Sequence, residues 1–246
     1  MFKLNPNLKI DTERLYGTTI FYIRDFYENP DEVYEYLFNK ERPLTKKDIE
    51  HQQLIDFGNR VRNRSESSVK DRRVEVFNPH IFKVTKFLSG LCGQACAESS
   101  ALGNMASFTD TYSNDFRNCV FWPHRDIGYN GVLYLNNGTL ECGTNLYHPS
   151  VLKTDKWKEN QESIVAKVLE PWQPKEDYSI IKTIPSEYNM IALFDGYKFP
   201  HGANFSNDYY FTHSEPRCNQ VFFFDRDRPV KKVAQSPWWK VWDRVY

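Results

Sequence analysis

Trp122-Pro123-His124-Arg125-Asp126-Ile127-Gly128-Tyr129-Asn130-Gly131-Val132-Leu133-Tyr134-Leu135-Asn136 is the stretch on which the fold turns. Pro123 disfavours helical backbone at the residue before it, so Trp122 is expected to be extended and to lead into a short rigid segment at His124. Alternate side chains of an extended strand share a face. His124 and Asp126 are therefore expected to point together while Arg125 points away. Gly128, Asn130 and Gly131 come next, and Val132 to Asn136 reads as a strand. Cys142-Gly143-Thr144-Asn145-Leu146-Tyr147 follows and is expected to be its hairpin partner.

Outward from this stretch, short extended runs recur at 105–112, 118–122, 130–135, 143–147, 178–183, 189–195 and 218–225. Turn residues separate them, which predicts a sandwich or jelly roll rather than alternating β-α units. Nearer the start, residues 18–26 are β-branched and aromatic and predict a strand. Asn29-Pro30-Asp31-Glu32 is a helix start, and Val33, Tyr36 and Leu37 carry the helical spacing to about Asn39. Asn78-Pro79 opens a second helix through Phe82, Val84, Phe87 and Leu88.

Arg60 to Arg73 mixes charges with serines and reads as an exposed loop, or else as a contact patch for an acidic partner. Residues 150–175, with Ile164, Val165, Val168 and Leu169, are expected to form a helix that braces the outer sheet or covers the site as a lid. Pro237-Trp238-Trp239-Lys240-Val241-Trp242 reads as a tail packed on the domain. One domain over 1–246 is expected: supporting strand and helices to 103, a β core over 104–226, and the tail from 227.

The 32 basic and 32 acidic residues cancel, which argues against nucleic acid as a partner. No run of eighteen apolar residues exists and the first residues lack the apolar core of a secretory signal, so neither membrane nor export is expected. Cys92, Cys96, Cys119, Cys142 and Cys218 form no dense framework and read as reduced thiols of a cytoplasmic protein.

Two imidazoles and one carboxylate hold iron(II) on one face and leave the other open. His124 and Asp126 supply two donors, and His201 in Phe199-Pro200-His201 is the third, delivered by a distant strand. His213 is its rival, but four residues before Arg217 leave too little chain to cross between strands. His148 reads as surface or supporting, and His51 and His80 as structural. Arg217 offers a planar fork for a dicarboxylate. Cys142 and Cys218 fall near this pocket and read as small buried side chains rather than zinc ligands.

Taken in order, His124-x-Asp126, Gly131 to Asn136, Gly143-Thr144-x-x-Tyr147, Leu193-Phe194-Asp195, Pro200-His201-Gly202 and Arg217-x-Asn219-Gln220-Val221-Phe222-Phe223 resemble the double-stranded β-helix oxygenases that use iron(II) and 2-oxoglutarate. The chain is most similar to their prolyl 4-hydroxylase-like branch and to a bacterial and phage family close to it, over about residues 104 to 226. The resemblance implies a mainly β fold with flanking helices, a jelly roll of cupin type. It implies His124, Asp126 and His201 as metal ligands and catalytic centre, and Arg217 as partner of the distal carboxylate of 2-oxoglutarate, with Asn219, Tyr134 and Tyr112 as further co-substrate contacts. The implied reaction hydroxylates a C–H bond of a peptidyl substrate, prolyl residues included, or of a small amino-acid-like one, using O2 and releasing succinate and CO2, with ascorbate as a candidate reductant. The sixteen residues from His201 to Arg217 exceed the usual interval, because Asn207 to Pro216 inserts a Tyr-rich turn. Two other readings stay open: a catalytically silent jelly-roll module with a binding, structural or viral role, and a cupin-like iron or manganese oxygenase that uses no keto acid.

Overall fold

The strands fall into two antiparallel sheets, and their burial patterns show what each face packs against. The computed structural model describes residues 1–38, 69–75, 79–108, 115–136, 142–155, 157–158, 172–213 and 216–230. In chain order the elements are β1 (Lys9–Leu15), β2 (Thr18–Arg24), α1 (Pro30–Phe38), β3 (Val69–Glu75), α2 (Pro79–Cys92), β4 (Gln94–Phe108) and α3 (Asp115–Asn118). There follow β5 (Cys119–His124), β6 (Tyr129–Tyr134), β7 (Thr144–Tyr147), β8 (Trp172–Pro174), β9 (Ile180–Ile184), β10 (Ile191–Asp195), β11 (His201–Ala203), α4 (Tyr209–Thr212) and β12 (Arg217–Pro229). The larger sheet runs β1-β2-β10-β6-β12-β4-β3 and the smaller β8-β5-β11-β7-β9.

The larger sheet is covered on both faces at its centre, so β6 is buried at every position. On one face Leu133 of β6 and Cys218, Phe222 and Phe224 of β12 join Val33 and Leu37 of α1 and Ile81, Val84 and Leu88 of α2. On the other, Val132 and Tyr134 meet Ala192 and Phe194 of β10 and, from the smaller sheet, Leu146 and Ile184. Val33, Leu37, Val84 and Leu88 are fully buried, and each contributes about 1.5–3 kcal/mol of hydrophobic stabilisation. Gly103 lets α1 sit close: a Cβ there would stand 3.0 Å from Leu37 Cδ2. The first hairpin closes through Tyr16 and Gly17, both at positive φ, as a two-residue turn between strands requires.

Several expectations are corrected. Residues 142–147 are not the hairpin partner of β6: β7 lies in the other sheet, between β11 and β9, because Leu146 buries inward while Tyr147 packs outward with Val151 and Trp157. Trp122 is not extended but sits at φ 46°. It lies in a bulge of β5, where the four residues from Phe121 to His124 oppose the three from His201 to Ala203. Phe82 faces solvent and Ile81 takes the buried place on α2. Part of the expected 60–73 loop is strand: Val69 to Arg73 belong to β3, which borders β4. Of the 150–175 segment the described residues are helical at Pro149–Lys153, 155 and 157–158 and only its end is strand, β8, paired with β5; Ile164, Val165, Val168 and Leu169 lie outside the described residues. Asp227 to Pro229, expected in the tail, extend β12, and the tryptophans beyond lie outside the described residues. No helix among the described residues is long and apolar enough to cross a membrane.

Candidate metal centre

β5 and β11 are neighbours in the smaller sheet, and His124 and His201 are cross-strand partners. Their rings lie 4.3 Å apart, centre to centre. The bulge at Trp122 sets the face: in a regular strand Phe121 and His124, three positions apart, would point to opposite sides. It also brings the Trp122 carbonyl within 2.8 Å of His124 Nδ1. His201 repeats the device, with Nδ1 3.1 Å from the carbonyl of Phe199. Each ring is thus preceded by an aromatic residue and a proline, and each Nδ1–H donates to the carbonyl two residues back. With that tautomer assigned, both Nε2 atoms keep their lone pairs, as metal-binding histidines require.

Asp126 lies just beyond β5 and is fixed by the turn after β10. Its backbone N–H donates to the Gly196 carbonyl, and Tyr197 N–H donates to that of Gly128, both at 3.0 Å. The approach at Gly196 is tight: a Cβ would stand 3.2 Å from the Cβ atoms of both Asp126 and Asn130. Arg125 turns aside, as alternation predicts, donating from Nε to the Tyr197 carbonyl. Its guanidinium lies 3.4 Å from the Tyr197 ring centre, and that of Arg226 lies 3.7 Å from the same ring.

The donor atoms of His124, Asp126 and His201 all lie within 4.8 Å of one another. Asp126 Oδ2 is 3.1 Å from His201 Nε2. Adjacent donors of an octahedral ion bound at about 2.1 Å stand about 3.0 Å apart, so this pair needs almost no adjustment. A carboxylate and two imidazole lone pairs turned to one point repel unless a cation lies among them, so the group can hold a metal ion. Mixed nitrogen and oxygen donors suit several first-row divalent metals and select none of them alone.

Arg217 reaches the same inter-sheet space from β12. It is buried, and its Nε and Nη2 donate to the carbonyls of Cys142 and Gly143 at 3.2 and 3.4 Å. Among the described residues no carboxylate pairs with it. Burial disfavours its charge, but Cys142, Tyr134 and Tyr210, which turn negative at high pH, outweigh that and hold its pKa above the ordinary value. Cys142 itself is pushed up to about 11 by burial, against the pull of Arg217, so it remains a thiol at neutral pH. Tyr134 is raised to about 12 by burial and shares a 2.8 Å hydrogen bond with Thr144 Oγ1. Asn219 stands opposite Tyr134 on the neighbouring strand, with a buried Oδ1 that has no hydrogen-bond partner. Leu146 pairs with His201, so Gly143 marks a level about 10 Å farther along the sheet.

Tyr112 lies outside the described residues, as does His51. His213 is exposed and stacks on Tyr209, away from the centre, and His148 caps the turn at Pro149 with its ring. His80 is exposed on α2. Cys218 faces the helices rather than the inter-sheet space, so it does not belong to the pocket. Sequence reasoning missed Asn130 and Gly196. The repeated aromatic-Pro-His pattern was a legible signal for the shared carbonyl device, whereas nothing local announced Asn130. The chain matches no protein-family model and no curated protein.

Proposed function

We propose that this chain is an iron(II)- and 2-oxoglutarate-dependent oxygenase that hydroxylates a C–H bond of a peptidyl or amino-acid-like substrate. The observation that carries the reading is the convergence of His124, Asp126 and His201, with both imidazoles held by carbonyls two residues back. The finer architecture we read is a double-stranded β-helix. Its support is the order of strands, since β5 to β7 and β9 to β12 pass alternately from one sheet to the other.

Iron(II) held by these three residues would supply the oxidising chemistry, with the net change R–H + O2 + 2-oxoglutarate → R–OH + succinate + CO2. The protein's own part is binding, orientation and exclusion of water. His124 and His201 present fixed lone pairs, and Asp126 lowers the charge of the ion. Arg217 supplies a buried cation to the distal carboxylate, and a buried guanidinium whose neighbours among the described residues are neutral is suited to an anion. Tyr134, kept protonated, and Asn219 flank that carboxylate as neutral hydrogen-bonding groups. Val132, Leu146 and Phe194 give the space between the two ends apolar walls.

The test is succinate release from protein loaded with iron under argon and then exposed to oxygen, across peptides and amino acids. Release should need both iron and 2-oxoglutarate and vanish in His124→Ala. Equal release without iron, or none from the wild type with any substrate, contradicts the proposal.

A further inference from the structure

Asn130 lies in β6, 3% exposed, with its side chain in the space between the sheets. Pairing with Phe194 on one side and Phe223 on the other fixes its backbone. Its Nδ2 is 3.1 Å from His201 Nε2, the same separation as Asp126 Oδ2 from that atom. Its Oδ1 is buried and has no hydrogen-bond partner. Gly196 packs against both Asn130 and Asp126, so the amide forms a wall of the centre beside the carboxylate.

The Nε2 lone pair cannot serve two partners. With Nδ1–H donating to the Phe199 carbonyl, Nε2 accepts from the Asn130 amide, and a metal bound by His201 must displace that bond. The amide then keeps two N–H donors in a buried place beside a cation, where only another acceptor can satisfy them. We propose that Asn130 is a ligand-binding residue of the metal centre, exchanging its bond to His201 for one to a small oxygen anion, a carboxylate above all, held next to the metal. This rests on the metal-centre reading above and names a residue for its open face.

Cobalt(II) serves as the probe metal, with oxalate and 2-oxoglutarate titrated separately into the loaded protein. Asn130→Asp keeps the shape but removes the donors. It should bind cobalt at least about threefold tighter and both anions at least about tenfold more weakly, opposite signs that a packing role does not produce. Asn130→Ala should bind cobalt no more weakly than wild type and lose about tenfold in anion affinity. Unchanged anion affinity in both variants overturns the proposal. So does a joint fall of cobalt and anion affinity in Asn130→Asp. Wild type that binds oxalate but not 2-oxoglutarate, with oxalate weakened in both variants, supports Asn130 while sinking the co-substrate reading. Wild type that takes no cobalt sinks both.

Discussion

The His201 end and the Arg217 end of the inter-sheet space are built on opposite electrostatic principles. At the first, two imidazole lone pairs and a carboxylate turn toward one point. At the second, a buried guanidinium meets two carbonyls, a thiol and two phenols, all neutral. Neither arrangement is economical for folding alone, because buried charge is costly without a partner of opposite sign. The difference teaches that the two ends are suited to different ligands: the first to a cation and the second to an anion. Their separation of about 10 Å along the sheet suits a molecule that joins the two.

Removing a group from one end should leave the other intact, and the largest effect is expected at the metal. Asp126→Ala should lower cobalt(II) affinity by at least about 100-fold, since it deletes a direct donor and not merely a supporting contact. Arg217→Met should weaken 2-oxoglutarate by about 10–100-fold, leave cobalt affinity unchanged, and leave the melting temperature equal or higher. A matching loss of metal binding would break the division into two ends. Gly202→Ala places a Cβ 2.2 Å from the Phe121 carbonyl, so β5 and β11 must part. A destabilisation of about 3 kcal/mol in urea titration is expected, together with weaker metal binding.

The smallest effect belongs to the Arg217 end at high pH. Cys142 is raised from its ordinary 9.0 to about 11 and Tyr134 from 10.0 to about 12, both chiefly by burial. The folded state therefore keeps protons that the unfolded chain releases. Stability from these groups is complete below pH 9 and declines as pH rises from about 9 to 12. Urea titrations across that range should show the fall, and Cys142→Ala should make its lower part shallower.

How much of this was legible depends on whether the determining contact is local. His124 and Asp126 share a face by alternation, and the turn at Asn29-Pro30 with its acids starts α1, so both could be read from neighbours in sequence. The partner of β7 could not, because either sheet accepts a short apolar strand, and only long-range burial of Leu146 against Val132 and Phe194 decides. The conformation of Trp122 was misread for a related reason. A following proline disfavours helix, but the pairing of β5 with β11 requires an extra residue there, and the bulge takes positive φ. Asn130 was invisible because an asparagine in a strand gains meaning only when His201, 71 residues later, is laid beside it.

One titration tests the metal centre most directly: iron(II) added under argon by calorimetry, followed by 2-oxoglutarate. Wild type should bind a single equivalent of iron, with 2-oxoglutarate binding only afterwards, and His124→Ala should bind neither. Iron binding that survives His124→Ala unchanged, or no binding by the wild type, would contradict it.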